Sequence, residues 1–169
     1  MSDLVDIGAR CGTDKFTLHS YDGLYLNLLE SRRNDKLWIL EIGVLYGASM
    51  RMWAEYLPQA YLTGLDINSE YIHKHLDTGR LFGCVGDSTE PSAAAKFPDN
   101  HYDLIIDDGS HLLQDQLLTL CNFYNKLKPG GAYVVEDVRP ENLRFFQGFH
   151  PWFHRGTKTE DDCCVVVTR

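Results

Sequence analysis

Leu37-Trp38-Ile39-Leu40-Glu41-Ile42-Gly43-Val44-Leu45-Tyr46-Gly47 is an apolar, strand-like run that ends in an acid and two glycines. A second acid, Asp66, closes another apolar run, Tyr61-Leu62-Thr63-Gly64-Leu65, 19 residues after Gly47. Glycine at 43 and 47 lets the backbone turn sharply after the strand and approach a ligand closely, because no Cβ intervenes. A carboxylate at Asp66 suits the hydroxyls of a ribose. The spacing is Glu-x-Gly-x-x-x-Gly, not the Gly-x-Gly-x-x-Gly that cradles a pyrophosphate, so the loop suits a nucleoside without phosphates.

Outward from this stretch, strand-like runs recur at Trp38–Glu41, Tyr61–Asp66, Phe82–Val85, Tyr102–Ile106, Ala132–Glu136 and Cys163–Thr168. Most are unbroken apolar segments, the pattern of strands buried on both faces of a parallel sheet. Helix-like segments alternate with them at Ala48–Leu57, Ser69–Leu76, Ser92–Phe97 and Leu112–Leu127, preceded by a short amphipathic one at Tyr21–Leu29. Alternating β and α predicts a doubly wound α/β fold with a mostly parallel sheet flanked by helices. Lys128-Pro129-Gly130-Gly131 reads as the stop of the long helix.

The 169 residues suffice for one domain with one core. We expect residues 1–36 to form an N-terminal lid and helix, 37–138 the ligand-binding core and 139–169 a C-terminal segment with the last strand. Hydrophobic residues make up 44% and charged residues 24%, and no apolar stretch reaches the roughly 20 residues of a membrane span. The N-terminus lacks the basic and apolar regions of a secretory signal, which predicts a cytoplasmic protein with no membrane partner. Five cysteines without a C-x-x-C pair argue for reduced thiols. A net charge of −8 disfavours nucleic acid and favours a small-molecule partner.

Open parallel sheets bind ligands at the carboxyl ends of their strands. Here strands end in Glu41, Asp66, Asp107-Asp108 and Glu136-Asp137, with Asp87 just beyond Gly86. So many acids along one edge repel one another unless a cation or ligand donors compensate. Carboxylate oxygens suit magnesium, which makes Asp108, Glu136 and Asp137 the candidate ligands. Asp107 and Asp108 should point in different directions, leaving only one for the metal; Asp108, nearer the loop, is preferred. His111, three residues on, is the candidate general base. The bland alternatives are that Asp108 or Ser110 caps the following helix and that Asp137 caps one beginning near Pro140.

Together these residues resemble the class I S-adenosylmethionine-dependent methyltransferases, which have a Rossmann-like fold. Glu41–Gly47 is similar to that family's first motif, Asp66 to its ribose-binding acid, Gly86-Asp87-Ser88 to its adenine-contacting turn, and Leu127–Gly131 to its late proline-glycine turn. Within that superfamily, Ile106–His111, Val135-Glu136-Asp137 and Gly12-Thr13-Asp14-Lys15 with His19 and Tyr21 resemble the metal-dependent O-methyltransferases that act on sugars of macrolides and related glycosides. The resemblance implies S-adenosylmethionine as cofactor, Mg2+ on Asp108, Glu136 and Asp137, His111 as base, an N-terminal loop closing over the cofactor, and a sugar or glycoside hydroxyl as acceptor. Glu41 is expected at the methionine end of the cofactor, and Gly43, Gly47, Asp66, Asp87, Ser88 and Asp107 around the rest of it. A homo-oligomer is compatible with this reading.

The C-terminal region looks shortened, with no strand evident in Phe145–His154, where the family has one. Competing readings are a catechol-type O-methyltransferase, a cofactor-binding module without catalysis, and an NAD oxidoreductase, the last disfavoured by the missing third glycine. His73 and His75 read as solvated, and Glu160-Asp161-Asp162 as a solvated turn. Trp53 reads as core, while His150 and His154 are candidates for an acceptor-pocket wall.

Overall fold

The computed structural model describes residues 3–75 and 79–169. The side chains of His73 and His75, and the end of the helix expected to reach Leu76, fall outside the described set. Seven strands form one sheet: β1 Trp38–Ile42, β2 Tyr61–Asp66, β3 Leu81–Val85, β4 Tyr102–Asp107, β5 Leu127–Val135, β6 Trp152–Arg155 and β7 Cys163–Thr168. Their order is β3-β2-β1-β4-β5-β7-β6. Strands β1 to β5 pair in parallel, and β7 runs antiparallel between β5 and β6. Strand order therefore reverses between β1 and β4, where such sheets open a ligand crevice. The doubly wound α/β architecture is as expected.

The helices are α1 Asp3–Cys11, α2 Asp22–Leu29, α3 Ala48–Tyr56, α4 Ser69–His75, α5 Pro91–Ala94 and α6 Leu113–Phe123. Two apolar layers sandwich the sheet. One collects Leu4, Tyr25, Trp53, Ile39, Leu104, Ile106 and Val134; the other collects Leu40, Ile105, Tyr133, Val135, Leu120 and Phe123. The alternation follows from the period of two along each strand. Its continuation turns Glu41 and Glu136 toward the layer of α1 to α3, and Asp107 toward the layer of α6.

Three local expectations need correction. The long helix ends at Phe123 and gives way to a 3-10 turn at Tyr124–Lys126. The Pro129-Gly130-Gly131 segment consequently lies within β5, at a break in register between Tyr102 and Leu104 of β4. There the missing proline N–H costs no ladder bond, and Gly130 takes a φ of 81° while donating its N–H to Arg169 O at 2.6 Å. Second, the strand not evident from sequence exists: β6 pairs with β7 from Trp152↔Val166 to Arg155↔Cys163. It is a four-residue edge strand that follows Pro151 and lacks an apolar run, and it completes the sheet. Third, α1 was not foreseen; its short face of Leu4, Ile7 and Gly8 packs against the core.

Candidate active site

At the carboxyl edge of β1 and β4 the loops enclose a cavity of about 790 Å³. Gly43, Asp66, Asp87, Ser88, Asp107, Asp108, His111 and Asp137 line it, as do Gly12, Thr13 and Asp14 of the N-terminal loop. Gly43 has a φ of 85°, and a Cβ there would lie 2.0 Å from Asp108 O, so the two strand-end loops cross at a point only glycine permits. Gly47 opens α3 with a φ of 69°. Asp66 is buried and accepts from the N–H groups of Val44 (2.8 Å), Leu45 (3.0 Å) and Asn68 (2.8 Å). Two of a carboxylate's roughly four acceptor positions are thus used to shape the glycine turn and a third to close the turn after β2, leaving capacity for a ligand hydroxyl.

Asp87 Oδ1 closes a turn by accepting from Thr89 N and Oγ1 at 2.9 and 2.7 Å. The Ser88 hydroxyl meets Thr119 Oγ1 of α6 at 2.9 Å. Asp107 is buried, its Oδ2 has no hydrogen-bond partner among the described residues, and desolvation pushes its carboxyl up to about 7 against the downward pull of the Gly109 N–H.

Asp108, His111 and Asp137 converge, with one ligand atom from each within 4.8 Å of the others. His111 Nε2 lies 3.2 Å from Asp108 Oδ1 and 3.4 Å from Asp137 Oδ2. His111 and Asp137 both adopt left-handed backbone angles, with φ of 59° and 53°. For non-glycine residues that conformation is uncommon and is held by its surroundings, as recurs in ligand-binding turns. The hydrogen bond to Asp108, outweighing partial burial, raises His111 to about 9. Asp108 is held down at about 2: burial pushes it up, but Lys15 and then His111 prevail. Neither Asp108 nor Asp137 caps a helix. Ser110 instead accepts from Leu112 N at 3.3 Å and donates to Asp115 at 2.6 Å ahead of α6.

The structure does not bring Glu136 or Glu41 into this group. Glu136 is buried, its Oε2 held by Lys15 Nζ and its Oε1 by the Tyr25 hydroxyl, so it has no free face toward the cavity. Glu41 is fully buried with Lys15 Nζ at 3.5 Å from Oε1, an ion-pair separation without a hydrogen bond. Burial, against the opposing pull of Lys15, lifts its carboxyl to about 7. Both acids lie beneath the site, toward Lys15, and not along its wall.

Sequence reasoning missed the donors that make the acids tolerable. Lys15 Nζ also donates to Asp108 Oδ2 at 2.6 Å, and although burial alone would lower its proton affinity, Asp108, Glu136 and Glu41 keep it well above the usual lysine value. Tyr21 donates to Asp137 Oδ1 at 2.5 Å, and His19 Nδ1 lies 3.3 Å from the same oxygen. The one available signal was electrostatic: this many strand-end acids require a cation within the fold, and Lys15 is the lysine of the Gly12-Thr13-Asp14-Lys15 turn. Asp162, read as solvated, is buried and accepts from Ser20 N (3.1 Å), Ser20 Oγ (2.8 Å) and Lys158 N (2.9 Å). His154 lies 2.8 Å from Ser20 O. Neither His150 nor His154 lines the cavity, so the acceptor-wall expectation is not met.

Residues 40–138 match the family described as a methyltransferase domain. The chain is 30% identical over 154 residues to 8-demethyl-8-alpha-L-rhamnosyl tetracenomycin-C 2'-O-methyltransferase of Streptomyces olivaceus, a match covering 86% of the chain and 40% of that protein. It is 31% identical over 146 residues to mycinamicin VI 2''-O-methyltransferase of Micromonospora griseorubida, covering 80% and 36%. Among solved structures, MycE methyltransferase from the mycinamycin biosynthetic pathway, in complex with Mg, SAH and mycinamycin VI, superposes with a TM-score of 0.79 at 24% identity, over 98% of this chain and 54% of that one. The chain thus spans well under half the length of these curated relatives. With the family match extending over the strands and turns that build the cavity, the chain belongs to the methyltransferase-domain family and has its class I fold.

Proposed function

We propose that this domain transfers a methyl group from S-adenosylmethionine to a hydroxyl of a sugar or glycoside, with a divalent cation such as magnesium at Asp108 and Asp137 and with His111 as general base. The observation that carries the reading is the placement of His111 Nε2 between two carboxylates at the rim of a glycine-built nucleoside cavity. Two carboxylates of neighbouring loops, after β4 and β5, form an oxygen donor set that suits a hard cation. The names of the curated relatives favour a glycoside acceptor.

Bound there, the cofactor supplies an electrophilic methyl and the cation a charge that lowers the acceptor hydroxyl's pKa. The remaining work falls to the chain. Gly43 and Gly47 let the backbone close on the nucleoside, Asp66 keeps one acceptor position for a ribose hydroxyl, and Asp87, Ser88 and Asp107 line the cavity beside it. Asp108 and Asp137 orient the imidazole, and His111 Nε2 takes the hydroxyl proton. With the charge of the carboxylates compensated, the same ring is free to act as a base near neutral pH. Glu41 and Glu136 act in this reading as buried supports.

The test is transfer of labelled methyl from S-adenosylmethionine to rhamnosyl or macrolide glycosides carrying adjacent hydroxyls, with magnesium and with a chelator. The expected result is a product that needs magnesium and falls about 10²- to 10⁴-fold in His111→Ala. Full transfer in the presence of chelator, or by His111→Ala, overturns the reading.

A further inference from the structure

Lys15 is 1% exposed, and the cavity lining stops at Asp14, so its ammonium touches none of the space open to a substrate. It nevertheless faces three carboxylates: it donates to Asp108 Oδ2 at 2.6 Å and to Glu136 Oε2, and pairs with Glu41 Oε1 at 3.5 Å. Asp108 therefore has two differently engaged oxygens. Oδ2 is held from beneath by Lys15, and Oδ1 faces His111 at 3.2 Å. A carboxylate at a strand end swings about a broad terminal torsion unless something fixes it. With one oxygen fixed, the direction of the other is determined.

We propose that Lys15 is the positioning residue of this site: by holding Asp108 Oδ2 it aims Asp108 Oδ1 at the place where the cation and His111 meet. This rests on the metal-assisted reading above. The competing explanation is that Lys15 only neutralises Glu136 and Glu41 so that the chain can fold. The two explanations separate because Asp108 is the only one of the three acids that reaches the cavity. Lys15 arrives on the loop that also delivers His19 and Tyr21 to Asp137, which ties the competence of the site to the seating of that loop. Groups outside the substrate that orient metal ligands usually matter about 10- to 100-fold for affinity or rate.

The experiment compares the wild type, Lys15→Met, Glu136→Gln and the double variant Lys15→Met/Glu136→Gln. Lys15→Met alone strands three acids without a counter-charge and endangers folding. The double removes one charge of each sign and keeps a polar partner for Tyr25. Magnesium uptake is read by calorimetry in the presence of S-adenosylhomocysteine, and kcat and KM by methyl transfer. With Glu136→Gln alone as the reference, the expected double variant is folded and binds S-adenosylhomocysteine within about threefold of wild type, while its magnesium affinity and kcat fall about 10- to 100-fold below that reference with an unchanged KM for the cofactor. Magnesium affinity and kcat in the double variant equal to those of Glu136→Gln overturn the proposal and leave Lys15 a counter-charge. Should the double variant not fold, the 15Nζ resonance of Lys15 in the wild type is followed through a magnesium titration: a saturating shift supports the proposal and an unmoved signal overturns it. A wild type that takes up no magnesium overturns the metal reading and this inference with it.

Discussion

Glu41 and Asp108 are both strand-end acids, yet their surroundings push them in opposite directions: Glu41 up to about 7 by burial, Asp108 down to about 2 with Lys15 and His111 as partners. A carboxyl whose folded pKa is raised binds its proton more tightly in the native state. Its contribution to stability is therefore present below the ordinary value of 4.5 and is lost as pH rises from there through about 7. Glu41→Gln cannot titrate, so its thermal midpoint should fall less than that of the wild type between pH 4.5 and 7.5. Parallel midpoint curves would show that Glu41 does not carry this proton. Gly43 gives a second residue-level prediction. Gly43→Ala places a Cβ 2.0 Å from Asp108 O at a φ of 85°, and about 2 kcal/mol or more of stability should be lost in denaturant unfolding, together with cofactor affinity. An unchanged midpoint would mean that the loop crossing yields.

At the scale of elements, the N-terminal loop is held by the far end of the chain. Asp162, on the turn before β7, fixes Ser20 through both backbone and hydroxyl, and Lys158 Nζ donates to Phe16 O and His19 O at 3.0 Å each. Asp162→Ala leaves Ser20 N, Ser20 Oγ and Lys158 N without this acceptor in a part-buried setting, a cost of about 1–3 kcal/mol. Hydrogen exchange should quicken in residues 13–21 while β1 and β4 keep their protection; uniform exchange across both would contradict a local clamp. This arrangement explains what the sequence concealed. The central parallel strands are continuous apolar runs and could be read directly, whereas β6 is a short edge strand and α1 has too small an apolar face to signal itself. Asp162 looked solvated because Ser20, whose N–H and hydroxyl it accepts, lies 142 residues away. Lys15 looked like a turn residue because its partners are 93 and 121 residues distant.

At the scale of the molecule, the order β3-β2-β1-β4-β5-β7-β6 opens the crevice between β1 and β4, and the acids named from sequence gather along that edge. Asp66, Asp87, Asp107, Asp108 and Asp137 reach the cavity; Glu41 and Glu136 turn under it, toward Lys15. The edge was legible in the sequence because charge and strand ends are local features. The division of labour was not, because it depends on a lysine delivered by the N-terminal loop. Among the described residues no helix is long and apolar enough to cross a membrane.

The central claim, that the crevice holds a sulfonium nucleoside beside a cation, is tested most directly by calorimetric titration of the wild-type protein with S-adenosylhomocysteine, with and without magnesium, alongside Asp66→Asn and Asp137→Asn. The account predicts a nucleoside Kd below about 100 µM that weakens in Asp66→Asn, and a separate magnesium isotherm that disappears in Asp137→Asn. A protein that binds neither ligand, or binds both equally well in the two variants, contradicts it.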